Sequence, residues 1–239
     1  MAATYTIQVP GHAELHLSTR SGRVTVIAEE RANVLAEEGA SSRGPETDAT
    51  GRISIGSAKG GSASLVVRCP AGTDLAVGTM SGNVELRGPL GQVRITTVSG
   101  SATVERAEEL DVRTVSGSIE VGHCTGRCSL STKSGRALCA SAHDAKVSTV
   151  SGQIRLDETT GSVRAQTVSG TVEVGTQRDG DVAVQTVSGS VKIEVPDGVR
   201  PDAHLQSMTG RPRCDCPEGS DCRIAVRSLS GQIEVVCAP

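Results

Sequence analysis

The stretch VSTVSGQIRLDETTGSVRAQTVSGTVEV, residues 147–174, holds two copies of one unit. In each copy, Thr-Val-Ser-Gly sits between two runs that alternate apolar with polar residues. Val147 precedes Gly152, and Ile154 and Leu156 follow it; Val163 and Ala165 precede Gly170, and Val172 and Val174 follow it. Alternation with period two puts every second side chain on one face, so each run reads as a short strand with an inward side. The glycine turns the chain between the strands, where a Cβ would crowd a tight bend.

Outward from this stretch, a Ser-Gly (once Thr-Gly) step recurs at Gly22, Gly82, Gly100, Gly117, Gly135, Gly152, Gly170, Gly189, Gly210 and Gly231. From Gly82 onward the intervals are 18, 17, 18, 17, 18, 19, 21 and 21. Such a period is the mark of a repeat architecture and outranks local propensity. The same inward pairs recur around the glycine, from Leu75/Val77 and Val84/Leu86 to Ile224/Val226 and Ile233/Val235. The pattern predicts an all-β fold: a single-stranded parallel β-solenoid (β-helix) with two short strands per 17–21-residue coil and an irregular N-terminal cap. Each strand is expected to pair with its equivalent one coil away. The stretch between coils, such as Asp157 to Ser162, is polar and variable in length, so it reads as a solvated return and not as a third buried side.

Residues 1–239 read as one domain. Residues 1–64 form the irregular cap, in which 1–28 look like an isolated coil, and 65–239 are regular repeats that loosen after 195. Composition agrees with thin stacked layers. The chain has 28 Gly, no Phe, no Trp, and Tyr5 as its only aromatic residue. Without the large areas that aromatic side chains bury, the core must be Val, Ile, Leu, Ala and Thr, packed coil on coil.

The formal net charge is -3 and the 24 basic residues are scattered, so no basic tract marks a nucleic-acid footprint. Base stacking also lacks the flat side chains it needs. No signal peptide or membrane span is legible in MAATYTIQVPGHAELHLS or beyond. The expectation is a cytoplasmic protein, or a surface or envelope protein if a leader has been removed.

Several columns carry candidate chemistry. Three residues before the glycine lie Thr19, Thr79, Thr97, Thr114, Thr132, Thr149, Thr167, Thr186, Ser207 and Ser228. Parity puts them inward, where stacked hydroxyls can bond along the column; a water-facing Thr-x-Ser array, as on ice-binding solenoids, is the alternative. Between Thr and Ser lies an apolar column of Met80, Val98, Val115, Val150, Val168, Val187, Met208 and Leu229, broken by Arg20 and Lys133. If alternation holds, this stripe faces water and suggests a partner surface. If the backbone kinks at TVSG, the valine turns in, and we expect a kink that leaves it half buried.

Cys128, Cys139 and Cys214 fall at inward positions, where the thiol acts as a small hydrophobe. Cys216 and Cys237 each lie six residues after their glycines, so they are expected side by side, able to form a disulfide in an oxidising compartment. Cys214, Cys216, Cys222 and Cys237 could instead supply four thiolates to zinc, although they lack the paired C-x2-C knuckles of common sites. His123, Cys124 and Cys128 form a weaker set. Arg155, Glu173 and Lys192 fall in consecutive coils as a solvated charge ladder. His12, His16, His123, His143 and His204 form no triad with Ser and Asp. No catalytic, cofactor-binding or metal-binding residue is therefore assigned.

The segment SLVVRCPAGTDLAVGTMSGNVELRGPLGQVRITTVSGSATV, residues 64–104, resembles a bacterial β-strand-repeat family of unknown function whose members are called "putative adhesin". That family shares an opening motif, here Leu65, Val67, Pro70, Gly72, Leu75 and Val77, followed by t-x-S-G-x-v-x-v units. The resemblance implies a single-stranded β-solenoid. Many of its members look exported or tethered, and no such segment is legible in residues 1–239.

Enzymes on stacked-strand folds fit poorly. Hexapeptide acyltransferases bury three sides under a six-residue repeat, whereas the third side here reads as polar. Polysaccharide-processing β-helices need carboxylate clusters and aromatic subsites. The expected function is a non-enzymatic structural or interaction module with a protein partner or self-association. No cofactor, nucleic acid or small-molecule substrate is expected. A cell-surface adhesin, or a metal-binding or redox module using the C-terminal cysteines, are the alternatives.

Overall fold

Period-two alternation becomes strand wherever the sequence carries it. The computed structural model describes residues 3–8, 13–38, 42–48, 52–57, 64–176 and 180–238, and contains strands and turns but no helix among them. The chain divides into two compact units, Met1–Gly122 and His123–Pro239.

The first unit holds β1 (Ala3–Gln8), β2 (Glu14–Glu29), β3 (Asn33–Glu38), β4 (Ser42–Thr47), β5 (Ile53–Ser57), β6 (Leu65–Pro70), β7 (Asp74–Ser99) and β8 (Ala102–Ser116). Strand β9 (Ile119–Thr159) begins in the first unit and runs on into the second. The second unit continues with β10 (Val163–Thr176), β11 (Val182–Pro196), β12 (Pro201–Ser207), β13 (Pro212–Cys214), β14 (Cys222–Ser230) and β15 (Ile233–Ala238).

Regular coils pair parallel and in register. Thr167 opposes Thr149 on one side and Thr186 on the other, and Gly170 lies between Gly152 and Gly189. In the first unit Gly82 opposes Gly22, and Val93 opposes Leu110. The inward residues are almost fully buried, as with Leu15, Ile95 and Val112 in the first unit and Val147, Ile154 and Ile193 in the second. Side-chain carboxylates at the corners accept backbone N–H groups of a neighbouring coil. Gln92 donates to Asp74 at 2.7 Å, and Ser162 donates to Asp144 at 2.9 Å.

Three features depart from the sequence expectation. The first is the coil itself, which has more than two short strands. Many strands run through the return stretch, which also pairs and buries a residue: Leu90 opposes Ala107, and Thr159 opposes Thr176, all four buried. Cys124 and Ala142 occupy the same place in their coils. The third side is therefore buried, but by one residue per coil, small in every case named except Leu90, too weak a signal to show as alternation. A hexapeptide coil is still not formed. In one coil Ala145, Val147, Thr149, Ile154, Leu156 and Thr159 are buried, with no six-residue period.

The second departure is coil order. Residues 1–28 do not form an isolated coil, because β2 lies between β7 on one side and β5 with β6 on the other. In the second unit β11 pairs with β14 and β15, while β12 and β13 lie beyond them. The chain thus folds back at both of these places, and the coil with the weaker repeat takes the outer position. Pro201 and Pro212 open the two outer strands. Proline lacks the N–H that an added strand would need, which blunts such an edge.

The third departure is direction. The cap is not wholly parallel: β1–β3, β3–β6 and β4–β5 are antiparallel pairs. Of these, only β4 and β5 are successive segments, and the short connection between them favours an antiparallel pair.

Candidate interaction face

The TVSG corner decides what faces water. Alternation persists through Thr and Val, and the chain bends one residue later, at Ser-Gly. The corner glycines adopt φ values of 153° at Gly152, 147° at Gly170 and 151° at Gly189. Each lies against the carbonyl of the previous coil's glycine, leaving no space for a Cβ. The expected kink that half buries the valine does not occur.

Thr19, Thr79, Thr97 and Thr114 are buried in the first unit, and Thr132, Thr149, Thr167, Thr186 and Ser228 in the second. A water-facing Thr-x-Ser array is thereby set aside. The hydroxyl ladder forms only in part. Thr19 donates to Thr79 at 3.3 Å, but Thr132 and Thr167 donate to carbonyls two residues on, at Ser134 and Ser169. The Oγ1 atoms of Thr97, Thr114, Thr149 and Thr186 are buried without a hydrogen-bond partner among the described residues. Valine has nearly the same shape and removes an oxygen whose desolvation is not repaid. Thr149→Val is therefore expected to raise the unfolding free energy by about 1 kcal/mol, read from urea midpoints at unchanged slope.

Above this column the apolar stripe faces outward. In the first unit Met80, Val98 and Val115 are 53, 48 and 42 % exposed. In the second unit, in coil order, Val150, Val168, Val187 and Leu229 lie between 48 and 56 %, and Met208 reaches 78 %. Coils stack at about 4.8 Å, so these five residues form a strip about 19 Å long. Exposed Ser151, Ser188 and Ser230 border it on one side. Gln166, Gln185, Arg227 and Gln206 border it on the other. A continuous apolar strip with a polar rim is what a protein-docking surface needs, and a monomer gains nothing by exposing it.

The charge ladder is present but pairs mainly along strands. Arg155 meets Asp157 at 2.6 Å and Lys192 meets Glu194 at 2.7 Å, whereas Arg155 reaches Glu173 across coils only at 3.7 Å. These ions border a shallow pocket beside Leu156 and Val174. Exposed pairs of this kind add at most about 1 kcal/mol each and mainly keep the face soluble.

Cys216 and Cys237 are disulfide-bonded with Cα atoms 5.4 Å apart, the adjacency expected from their equal offset. That bond removes two members of the four-thiolate set, and the remaining pair, Cys214 and Cys222, is split between surface and core. Cys214 was expected inward but is exposed, because its strand β13 pairs on one side only among the described residues. Cys128 and Cys139 are buried as expected, while His123 beside Cys124 is exposed. Contact with Cys124 and Cys139, together with burial, raises the Cys128 pKa, and burial pushes Cys69 up to about 11. Both stay protonated at neutral pH and are poor nucleophiles. His16 and His204 pair with Glu14 and Asp202 at 3.1 and 3.3 Å, and His12 lies outside the described residues. Among the described residues, no helix is long and apolar enough to cross a membrane.

The family model described as Toastrack DUF4097 matches residues 41–217, and the chain belongs to that family, whose function is unknown. No curated protein matches the chain. A crystal structure of a "putative adhesin" from Parabacteroides distasonis ATCC 8503 is similar at 15 % identity and a TM-score of 0.62, covering 99 % of this chain and 97 % of that one. Another, from Parabacteroides merdae ATCC 43184, is similar at 11 % identity and a TM-score of 0.58, covering 97 % and 96 %. At such identities the likeness is one of fold.

Proposed function

We propose that this Toastrack-family chain is one β-solenoid domain over residues 1–239, built as a single-stranded parallel stack, and that it works as a non-catalytic interaction scaffold. Its partner docks along the apolar stripe, and the simplest partner is a second copy of the chain. The observation that carries this reading is the outward column Val150, Val168, Val187, Leu229 and Met208, exposed in five coils, while Thr149, Thr167, Thr186 and Ser228 beneath it are buried. Evenly spaced side chains on a rigid sheet are already ordered before binding, so docking costs little conformational entropy. The non-catalytic part of the reading is supported by the threonine hydroxyls lying under the face and by the Cys69 and Cys128 thiols staying protonated.

The test replaces outward residues only. Val168→Lys with Val187→Lys should leave the unfolding free energy within about 0.5 kcal/mol of the parent, as surface changes do. The same variant should weaken self-association at least tenfold in sedimentation equilibrium. A parent protein that stays monomeric at millimolar concentration counts against a second copy as the partner. A double variant that associates as well as the parent counts against the stripe.

A second reading, a cell-surface adhesin, is favoured by one observation, the Cys216–Cys237 bond. Disulfides persist in oxidising compartments and are rare in the cytosol. The similar structures bear the name "putative adhesin", which is consistent with export. Labelling intact cells with an impermeant reagent decides between this location and the cytoplasm. The metal-binding alternative loses its thiolate set to the same bond.

A further inference from the structure

The second unit carries a groove of about 510 Å³ on the same face as the stripe. Its floor and walls follow from register. Arg164 opposes Ala183, Ala183 opposes Ala225, and Ala225 opposes His204. Two adjacent alanines leave a depression two strands wide. Arg164 stands on one side of it, His204 on the other, and Arg223 and Arg227 flank Ala225 along β14.

The charge of this groove is unbalanced. Arg155, Arg200 and Arg213 of the same unit each have a carboxylate partner. Arg164, Arg223 and Arg227 have none among the described residues. The one carboxylate lining the groove, Asp181, is occupied in accepting the backbone N–H of Arg223 at 3.2 Å. Guanidinium groups without partners, gathered over a small-residue floor, suit a carboxylate ligand, which each can bind through two parallel hydrogen bonds.

We infer that this groove binds an acidic peptide segment of a partner protein. The inference rests on the docking reading above and names the chemistry of the partner. A peptide is favoured over a polysaccharide or a single-stranded nucleic acid because the chain has no Phe or Trp, and its one Tyr lies at position 5. Sugars and bases both rely on flat aromatic platforms. Position supplies the second argument. Arg164, Gln166 and Val168 point outward in turn along β10, and Ala225, Arg227 and Leu229 do so along β14. Four residues of strand span about 13 Å, so an extended peptide can place acidic residues in the groove and apolar residues on the stripe.

The probe is a fluorescein-labelled heptapeptide of two glutamates, a Gly-Ser-Gly spacer and two leucines, with a second peptide carrying glutamine for glutamate. Fluorescence anisotropy should show binding of the glutamate peptide, at least tenfold weaker for the glutamine peptide. Arg164→Ala and Arg227→Ala should each weaken glutamate-peptide binding about tenfold, the scale of one lost charged hydrogen bond. Both residues are exposed, and unchanged urea midpoints would show that the fold is intact. Equal affinity for the two peptides, or indifference to both arginine variants, overturns the inference. Heparin that binds more tightly than the peptide, with the same arginine dependence, overturns the peptide class. The Val168→Lys, Val187→Lys variant separates the two readings. If it keeps arginine-dependent peptide binding undiminished, the groove stands and the stripe falls; if the parent associates through the stripe but ignores the peptide, the groove falls.

Discussion

Gly170→Ala destabilises the protein by more than about 3 kcal/mol, while Gly78→Ala changes stability by no more than about 0.5 kcal/mol. The two glycines differ in surroundings. Gly170 sits at φ 147° in the corner, and an added Cβ would land on the carbonyl oxygen of Gly152. Backbone on both sides must shift, and the same contact recurs between Gly189 and Gly170. Relief at one corner therefore disturbs the next. Gly78 has nothing within 4 Å of where a Cβ would be built. Urea unfolding of both variants is the measurement, and a mild effect at Gly170 would mean that corners can open without loss of register.

Cutting the Cys216–Cys237 bond lowers stability by about 3 kcal/mol, the loop-closure value for cysteines separated by 21 residues. The loss should be local first. The bond ties the end of the β12–β13 coil to β15, and that coil has only β14 and β15 as neighbours among the described residues. In Cys216→Ser, amide hydrogen exchange should rise through residues 201–216 before it rises in β10 or β11. Equal exchange throughout the unit would show that the outer coil is held by its strands alone. The same comparison in reducing buffer should abolish the difference between parent and variant.

The regular coils were legible because each satisfies two demands at once. Val163, Ala165, Val172 and Val174 alternate with polar neighbours, and the corner glycine recurs every 17 to 19 residues from Gly82 to Gly189, so pattern and turn agree. The TVSG corner was half legible. Parity alone turned the Thr column inward, but whether the chain kinked at valine depended on where the four residues of the corner absorb a change of face, which sequence does not encode. Glycine stacked on glycine at the corner settles it at Ser-Gly. The third side was missed because Ala107, Ala142 and Thr159 are small and single, with polar or charged residues on either side. Coil order was hidden for a different reason. Equivalent strands carry the same pattern, so β11 has no periodic signal that favours β14 over β12. The choice is made by the outer coil's prolines and by the area that Ile224, Val226, Ile233 and Val235 bury in an inner position. Of the candidate site, the stripe was visible as a column, but the groove beside it needed the registers that bring Ala183, Ala225 and His204 together.

The fold-back in the second unit also shapes how the chain bears load. A stack laid down in chain order can be undone from its end by peeling, breaking one row of hydrogen bonds at a time. Here the last strand, β15, is held in parallel between β11 and β13. Tension on the C-terminal residues must shear β15 past two neighbours at once or first tear away the outer coil that the disulfide fastens to it. Strand β15 is thus braced like a strap passed back under its own winding.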